Sequence, residues 1–438
     1  MSPYPRQSSR ESDAVVETLS AENPRALHWS NPGGLYLFGL AFAVVGTFAA
    51  ALTAAVLTLS LKSASISPDD ATTVLSVAVG TAGLVTLIAY PLFGRISDRT
   101  TGRLGRRRPF LILGAVLIGG GSVLLVLASD TAMLTIGNVV LATGASAVVV
   151  AATATVAEQF EPSRRGLPSA VLGLGTPAGA LLGLVLAQSV SRSLPLMILV
   201  PGAVGVAGAI VFACILKDRS ISTSERPALR RSDLFGTFWV NPAKAPDYAW
   251  VWFSRLLIFL GIAAINAYQA FYLIIHLHVS PEGVGGAILL GTAVLVGVSL
   301  VFAPLMARIS DRIGRRKPFV IVSALIFAAG LGILATASTF PGFLIAIAVL
   351  AVGQGVYLAV DISLATQVLP DPKSPAKDLG ILNLANQLPS FIVPAVAPAL
   401  LTIGASAETP KNFTSLFLAG AVSALVGALL ILPVRTAR

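Results

Sequence analysis

Apolar runs of about 20 residues recur along this chain, separated by short polar segments. A bilayer core of ~30 Å is crossed by ~20 residues of helix rising ~1.5 Å each. The runs fall at roughly 34–60, 73–94, 110–128, 132–156, 167–189, 194–216, 248–275, 283–305, 318–338, 341–364, 379–403 and 412–434. Lipid gives backbone N–H and C=O groups no partner, so each run is expected to be a helix. The fold expected is an all-α membrane protein of twelve transmembrane helices in two six-helix pseudo-repeats. A polar tail (1–32) precedes the first six-helix bundle (33–216), and a linker (217–246) leads to the second (247–434).

Composition narrows the function classes. Of 438 residues, 55% are hydrophobic and only 11% charged, against about 25% charged in soluble domains. That excludes a cytosolic enzyme and a disordered chain. The net charge of +10 is a matter of placement. With both termini inside, 26 of the 30 Lys and Arg residues fall on cytoplasmic segments, as the positive-inside rule requires of a multi-pass cell-membrane protein. The charge therefore needs no nucleic-acid partner. Cys214 is the single cysteine, so no intrachain disulfide forms. No His/Cys group has metal-ligand spacing, no nucleophile–base motif occurs, and no cofactor is expected.

The chain repeats itself. Residues 91–110 read PLFGRISDRTTGRLGRRRPF and residues 304–319 read PLMARISDRIGRRKPF. Pro91 aligns with Pro304 and Asp98 with Asp311 at an offset of 213; after four extra residues, Gly105 aligns with Gly314 and Pro109 with Pro318 at 209. Each copy follows the second span of a half. This is the signature of parallel repeats about an axis along the membrane normal.

The paired R-I-S-D-R…G-R-R-[RK]-P segments resemble the loop motif of the major facilitator superfamily. Glu161-Pro-Ser-Arg-Arg-Gly166 is similar to that family's element after the fourth span. The lengthened first copy, with Lys377-Asp-Leu-Gly380 and Asn383, is similar to sucrose/proton symporters and their animal and bacterial relatives. Phe238-Trp-Val-Asn-Pro242, Ala249-Trp250 and Arg255 resemble an actinobacterial branch of that group. The resemblance implies a transporter that alternates between two faces, not an enzyme, with a small-molecule solute as partner and a monomer sufficing. It also implies a gate. Asp98 would meet the start of span 11 near Leu379–Gly380, and Asp311 the start of span 5 near Gly166–Leu167, when the cytoplasmic side is closed. A carboxylate at a helix N-terminus contributes about 0.5–2 kcal/mol. The gating set comprises Asp98, Arg99 and Arg106, then Asp311, Arg312 and Arg315, with Arg165 before span 5. The loop arginines alternatively anchor the chain to anionic membrane lipids.

Charges inside spans are costly and usually functional. Arg255 in span 7 and Asp361 in span 10 are the two found. They pair with each other, or Asp361 pairs with Arg308 or Arg315; direct proton carriage by Asp361 is the other reading. Neutral polar residues form helical stripes. Asn383, Asn386, Gln387 and Ser390 share one face of span 11; Gln354, Tyr357 and Asp361 share one of span 10; Asn266 and Gln269 lie together in span 7 beside Tyr268 and Tyr272. Such stripes face either a wet cavity or another helix. As cavity residues, Asn266, Gln269, Tyr272, Gln354, Tyr357, Asn383, Asn386 and Gln387 suit a hydroxylated ligand. Gly173, Gly175, Gly179 and Gly183 of span 5 read as close packing, and Leu234, Phe235, Phe238 and Trp239 as a short interfacial helix. The function expected is secondary transport of a sugar or small polar solute, with or without proton coupling. Export of an amphiphilic metabolite or drug is the rival, favoured by a large apolar cavity with few amides. A non-transporting receptor or scaffold is the alternative from another class.

Overall fold

The computed structural model describes residues 30–102, 104–218, 245–369, 375–405 and 411–434. The tail before residue 30 and the proposed interfacial helix at 234–239 lie outside the described residues. Twelve apolar helices follow one another among the described residues: α1 Gly34–Ile66, α2 Ala71–Asp98, α3 Arg108–Leu127, α4 Thr131–Gln159, α5 Gly166–Ser189, α6 Leu194–Ile215, α7 Pro246–His276, α8 Val284–Ile313, α9 Lys317–Thr336, α10 Phe340–Gln367, α11 Pro375–Gln387 continued by Pro389–Thr402, and α12 Phe413–Leu429. Eleven are long and apolar enough to span by themselves, and α12 has 17 residues. Helix α1 runs six residues beyond its expected end, and α2 and α8 reach into their loop motifs. Charged helix ends escape a reading based on apolar runs.

Local chemistry sets the boundaries. Asp130 accepts from the Met133 amide and starts α4; Asn412 caps α12 in the same way. Proline sits in the first turn of α3, α6, α7 and α9, where its missing N–H is harmless. Gly314 ends α8 at φ +70°, a backbone that an L side chain strains to adopt. Two features were not legible in the apolar pattern. Helices α1 and α7 each widen into a π-helical turn, Ala54–Thr58 and Tyr272–His276. Helix α11 breaks at Leu388, ahead of Pro389, Pro394 and Pro398.

Packing divides the helices. One buried core, near the end where α1 finishes and α2 begins, is shared by Leu57, Leu75, Tyr268, Phe271, Ile288 and Leu401 from both sets of six. Toward the end bearing the two loop motifs there are two separate cores. One contains Leu40, Leu111, Val148 and Phe212; the other contains Val251, Val320, Val360 and Leu382. The two bundles are thus joined at one face and apart at the motif face.

Within a bundle, small residues allow backbone approach, because lipid supplies little hydrophobic drive between helices. A side chain on Gly179 would stand 2.7 Å from the Val45 carbonyl oxygen, and one on Gly183 would stand 2.4 Å from that of Ala49. Gly175 likewise abuts Val44. Gly173 does not belong to this set: nothing lies within 4 Å of its missing Cβ. Two residues before Gly175, it is turned about 200° away from α1 and lines the cavity wall. Gly179→Ala is therefore expected to destabilise by about 1–3 kcal/mol through overpacking. Gly173→Ala should stabilise the helix by up to about 1 kcal/mol. Thermal unfolding of the two purified variants in one detergent measures the contrast.

Candidate functional site: a central cavity and two polar clusters

Between the bundles lies a cavity of about 750 Å³. Its walls come from α1, α5, α7, α8, α9 and α10. Asn266, Gln269 and Gln354 line it, as the stripes of α7 and α10 predict. No hydrogen bond to another described residue engages any of these three side-chain amides, and no charged side chain lines the cavity. Ser299 also reaches the wall, but its hydroxyl donates to the Ala351 carbonyl at 3.0 Å.

The other cavity candidates sit elsewhere. Tyr272 is buried in the shared core, where its hydroxyl donates to the Leu334 and Ala337 carbonyls at 3.0 and 2.7 Å. Phe343, Phe413 and Phe417 surround its ring. Tyr357 packs edge-on to Phe259 and hydrogen-bonds Asp361, so it is a helix-to-helix contact rather than cavity wall. The α11 stripe divides. Asn386 accepts from Arg255 Nε at 2.6 Å. Gln387 reaches Tyr90 of α2, which also meets Ser146. Asn383 is exposed and makes no hydrogen bond to a described residue.

The first polar cluster is the ion pair inside the second bundle. Arg255 Nη2 lies 3.0 Å from Asp361 Oδ2, with side chains 8% and 5% exposed. This settles the partner, because Arg308 and Arg315 are both exposed. Arg255 also lies over the Phe259 ring, 5.9 Å from its centroid. One arginine thus ties α7 to α10 and, through Asn386, to the lower part of α11. Trp252 adds a second tie, donating to the Ile381 carbonyl at 2.9 Å.

The second cluster lies under the first loop motif. Its hub is Arg107, 3% exposed. Arg107 pairs with Asp98 and with Glu158 and donates to Ser97. Arg106 meets Asp98 at 3.3 Å and Glu158 at 3.4 Å. Burial lowers the Arg107 pKa, but the Glu158 and Asp98 carboxylates outweigh it and the net shift is upward. Asp218, just after α6, accepts from the backbone amides of Arg107 and Arg108 and closes the α3 N-terminus. Gly105, at φ +89°, leaves room for it: a Cβ there would meet Asp218 at 2.4 Å.

Neither the hub role of Arg107 nor the cap at Asp218 is evident from the loop motif, whose first copy holds six arginines. The repeat offers a clue to the first. At the offset of 209, Arg107 corresponds to Arg316 but Glu158 to Gln367. Arg316 donates to Ser310 at 2.8 Å. The Glu158 carboxylate of the first bundle is thus matched by an amide, Gln367, in the second. Of the remaining gating candidates, Arg165 donates to the Phe160 and Ala157 carbonyls at 3.0 and 2.7 Å, closing the end of α4. Arg99 carries a buried Nη1 with no hydrogen-bond partner. Arg312 and Arg315 are exposed, and the Asp311 side chain and the surroundings of residues 371–380 lie outside the described residues.

Contacts between bundles cluster away from the motif face. Ser76 and Tyr268 share a hydrogen bond of 2.6 Å. Gln188 of α5 fits against Gly285 and Gly286 at the start of α8. On the other flank, α2 and α11 touch backbone to backbone: a Cβ on Gly83 would lie 2.7 Å from the Ser390 carbonyl oxygen. Pro394, four residues on, lacks the N–H that would otherwise engage that oxygen. These contacts join the bundles on the side away from the motifs, and the Tyr90–Gln387 hydrogen bond carries the α2–α11 seam toward them.

The Major Facilitator Superfamily model matches residues 34–300 and 251–438. The chain belongs to that superfamily: it is an integral membrane protein with the fold of the secondary transporters. Solved structures agree in fold. A peptide transporter, POT, with alafosfalin bound is 15% identical, with TM-score 0.72, over 95% of this chain and 97% of its own. The nucleoside transporter NupG is 9% identical, with TM-score 0.71, over 91% and 99%. A bacterial homologue of the human lysosomal transporter Spinster, inward-facing and unoccupied, is 13% identical, with TM-score 0.62, over 91% and 94%. No curated protein sequence matches.

Removing one partner of a buried ion pair strands the other charge, at about 3–5 kcal/mol. Asp361→Ala should lower the unfolding transition accordingly. The double variant Arg255→Met, Asp361→Leu should recover most of the loss. Thermal unfolding of the three proteins in detergent tests this.

Proposed function

We propose that this protein is an alternating-access transporter of an uncharged solute bearing hydroxyl or amide groups, a sugar being the first class to test. The observation that carries the reading is the uncharged cavity with three amides, Asn266, Gln269 and Gln354, left without partners among the described residues. An amide both donates and accepts, and so matches a hydroxyl in either sense. A carboxylate or ammonium ligand would be stranded there without a counter-charge.

The positive-inside rule puts the motif face in the cytoplasm, so the structure is the inward-facing state. The two six-helix bundles are the rocking halves, and they close toward the cytoplasm by bringing Asp98 to the start of α11 and Asp311 to the start of α5. In the present state Asp98 is held by Arg106 and Arg107 of its own bundle. A second reading, proton coupling, is favoured by the Arg255–Asp361 pair, because Arg255 bonds Asn386 of the moving α11. A proton taken up by Asp361 would weaken the pair and loosen that tie.

Proteoliposomes offered sucrose, maltose, glucose and xylose test both readings. Saturable uptake of any of them supports the neutral-solute reading, and Gln354→Ala should then reduce its affinity by roughly 3–10-fold, the loss of one neutral hydrogen bond. External alkalinisation on sugar addition, abolished in Asp361→Asn, would establish symport. Sugar uptake without any pH change would establish uniport. No uptake of any of the four would remove these sugars as substrates.

A further inference from the structure

The cavity is chemically one-sided. Its three amides all come from the second bundle, on α7 and α10. The facing wall, from α1 and α5, presents Leu52, Val56, Leu174, Leu181 and Leu184, and its single polar residue is Thr176. A free sugar is hydroxylated around its whole rim. Placed here, it would satisfy hydroxyls on one side and strip water from the rest against leucine, with no hydrogen bond in return. A volume of about 750 Å³ also exceeds what one sugar ring fills. The leucine wall needs an apolar occupant.

We infer that the preferred ligand is an amphipathic neutral molecule, with a hydroxyl- or amide-bearing head on the α7/α10 amides and an apolar body against α1 and α5. This deepens the neutral-solute reading and rests on it. Transport then depends on both halves recognising different parts of one molecule. The head binds the second bundle, the body binds the first, and a ligand lacking either part spans the gap poorly. The feature also explains why the first bundle offers so few polar candidates along its spans. Its contribution to binding is apolar.

A cysteine placed at Gly173, on the cavity wall with open space around it, reports occupancy. The native Cys214 is replaced by alanine, and the protein is held in lipid nanodiscs. The probes are D-glucose and n-octyl β-D-glucoside below its micellar concentration. Each is titrated for protection of Gly173→Cys from a water-soluble thiol reagent. Burying much of an octyl chain should lower the half-protecting concentration at least about 30-fold relative to glucose. Leu174→Asn, at a wall residue 54% exposed and so tolerant of change, should shrink that ratio by about tenfold. Gln354→Ala should weaken protection by the glucoside. Glucose protecting as well as the glucoside, or a ratio indifferent to Leu174→Asn, overturns the amphipathic ligand and leaves the neutral-solute reading standing. Protection by octyl sulfate or octyltrimethylammonium but by neither neutral probe overturns both. Protection by none of the four also overturns the inference.

Discussion

Inside a bilayer a polar group must find its partner within the protein or in a water-filled space, and that constraint governs this molecule. The backbone obeys it by forming helices throughout the spans. Side chains obey it in three ways. Some bond a neighbouring carbonyl, as Asn138 does to Ala78 and Tyr272 to Leu334. Some combine into a buried network, as Arg255, Asp361, Tyr357 and Asn386 do. Others, Asn266, Gln269 and Gln354, face the cavity, while a few buried hydroxyls, those of Thr47 and Thr53 among them, have no partner among the described residues. The same rule separates structural from functional polarity: amides that the fold leaves unanswered mark where something else must answer them.

The fold was largely legible in the apolar runs, because hydropathy and length are enough to locate a spanning helix. Its ends were less so. Loop-motif charges continue α2 and α8 beyond the apolar stretch, and no local pattern announced the π turns. The site was half legible. Periodicity identified which polar residues share a helix face, but not what that face meets. The α7 and α10 amides reach the cavity. On α11, adjacent Asn386 and Gln387 turn to different neighbours, Arg255 and Tyr90. Tyr272 shows the same limit, since six residues on from Asn266 it lies about 120° round the helix and meets the core instead.

The loop motifs show the limit of symmetry as a guide. Two nearly identical sequences are set in unlike surroundings. Glu158 gives Arg107 a second carboxylate, whereas Gln367 stands at the matching place for Arg316. What the repeat preserves is the placement of the arginine on the membrane surface. What differs is the residue at the matching place of the fourth helix of each half, a carboxylate in one and an amide in the other.

The break in α11 has a mechanical meaning. Below Leu388 the helix is bolted to its own bundle through Asn386 and Ile381. Above it, the Ser390 backbone leans on Gly83 of the opposite bundle. The helix is thus anchored to one body and bears on another. Main chain lies against main chain at Gly83, with the Gln387–Tyr90 hydrogen bond beside it, so the bearing and the side-chain tie are separately adjustable by single residues.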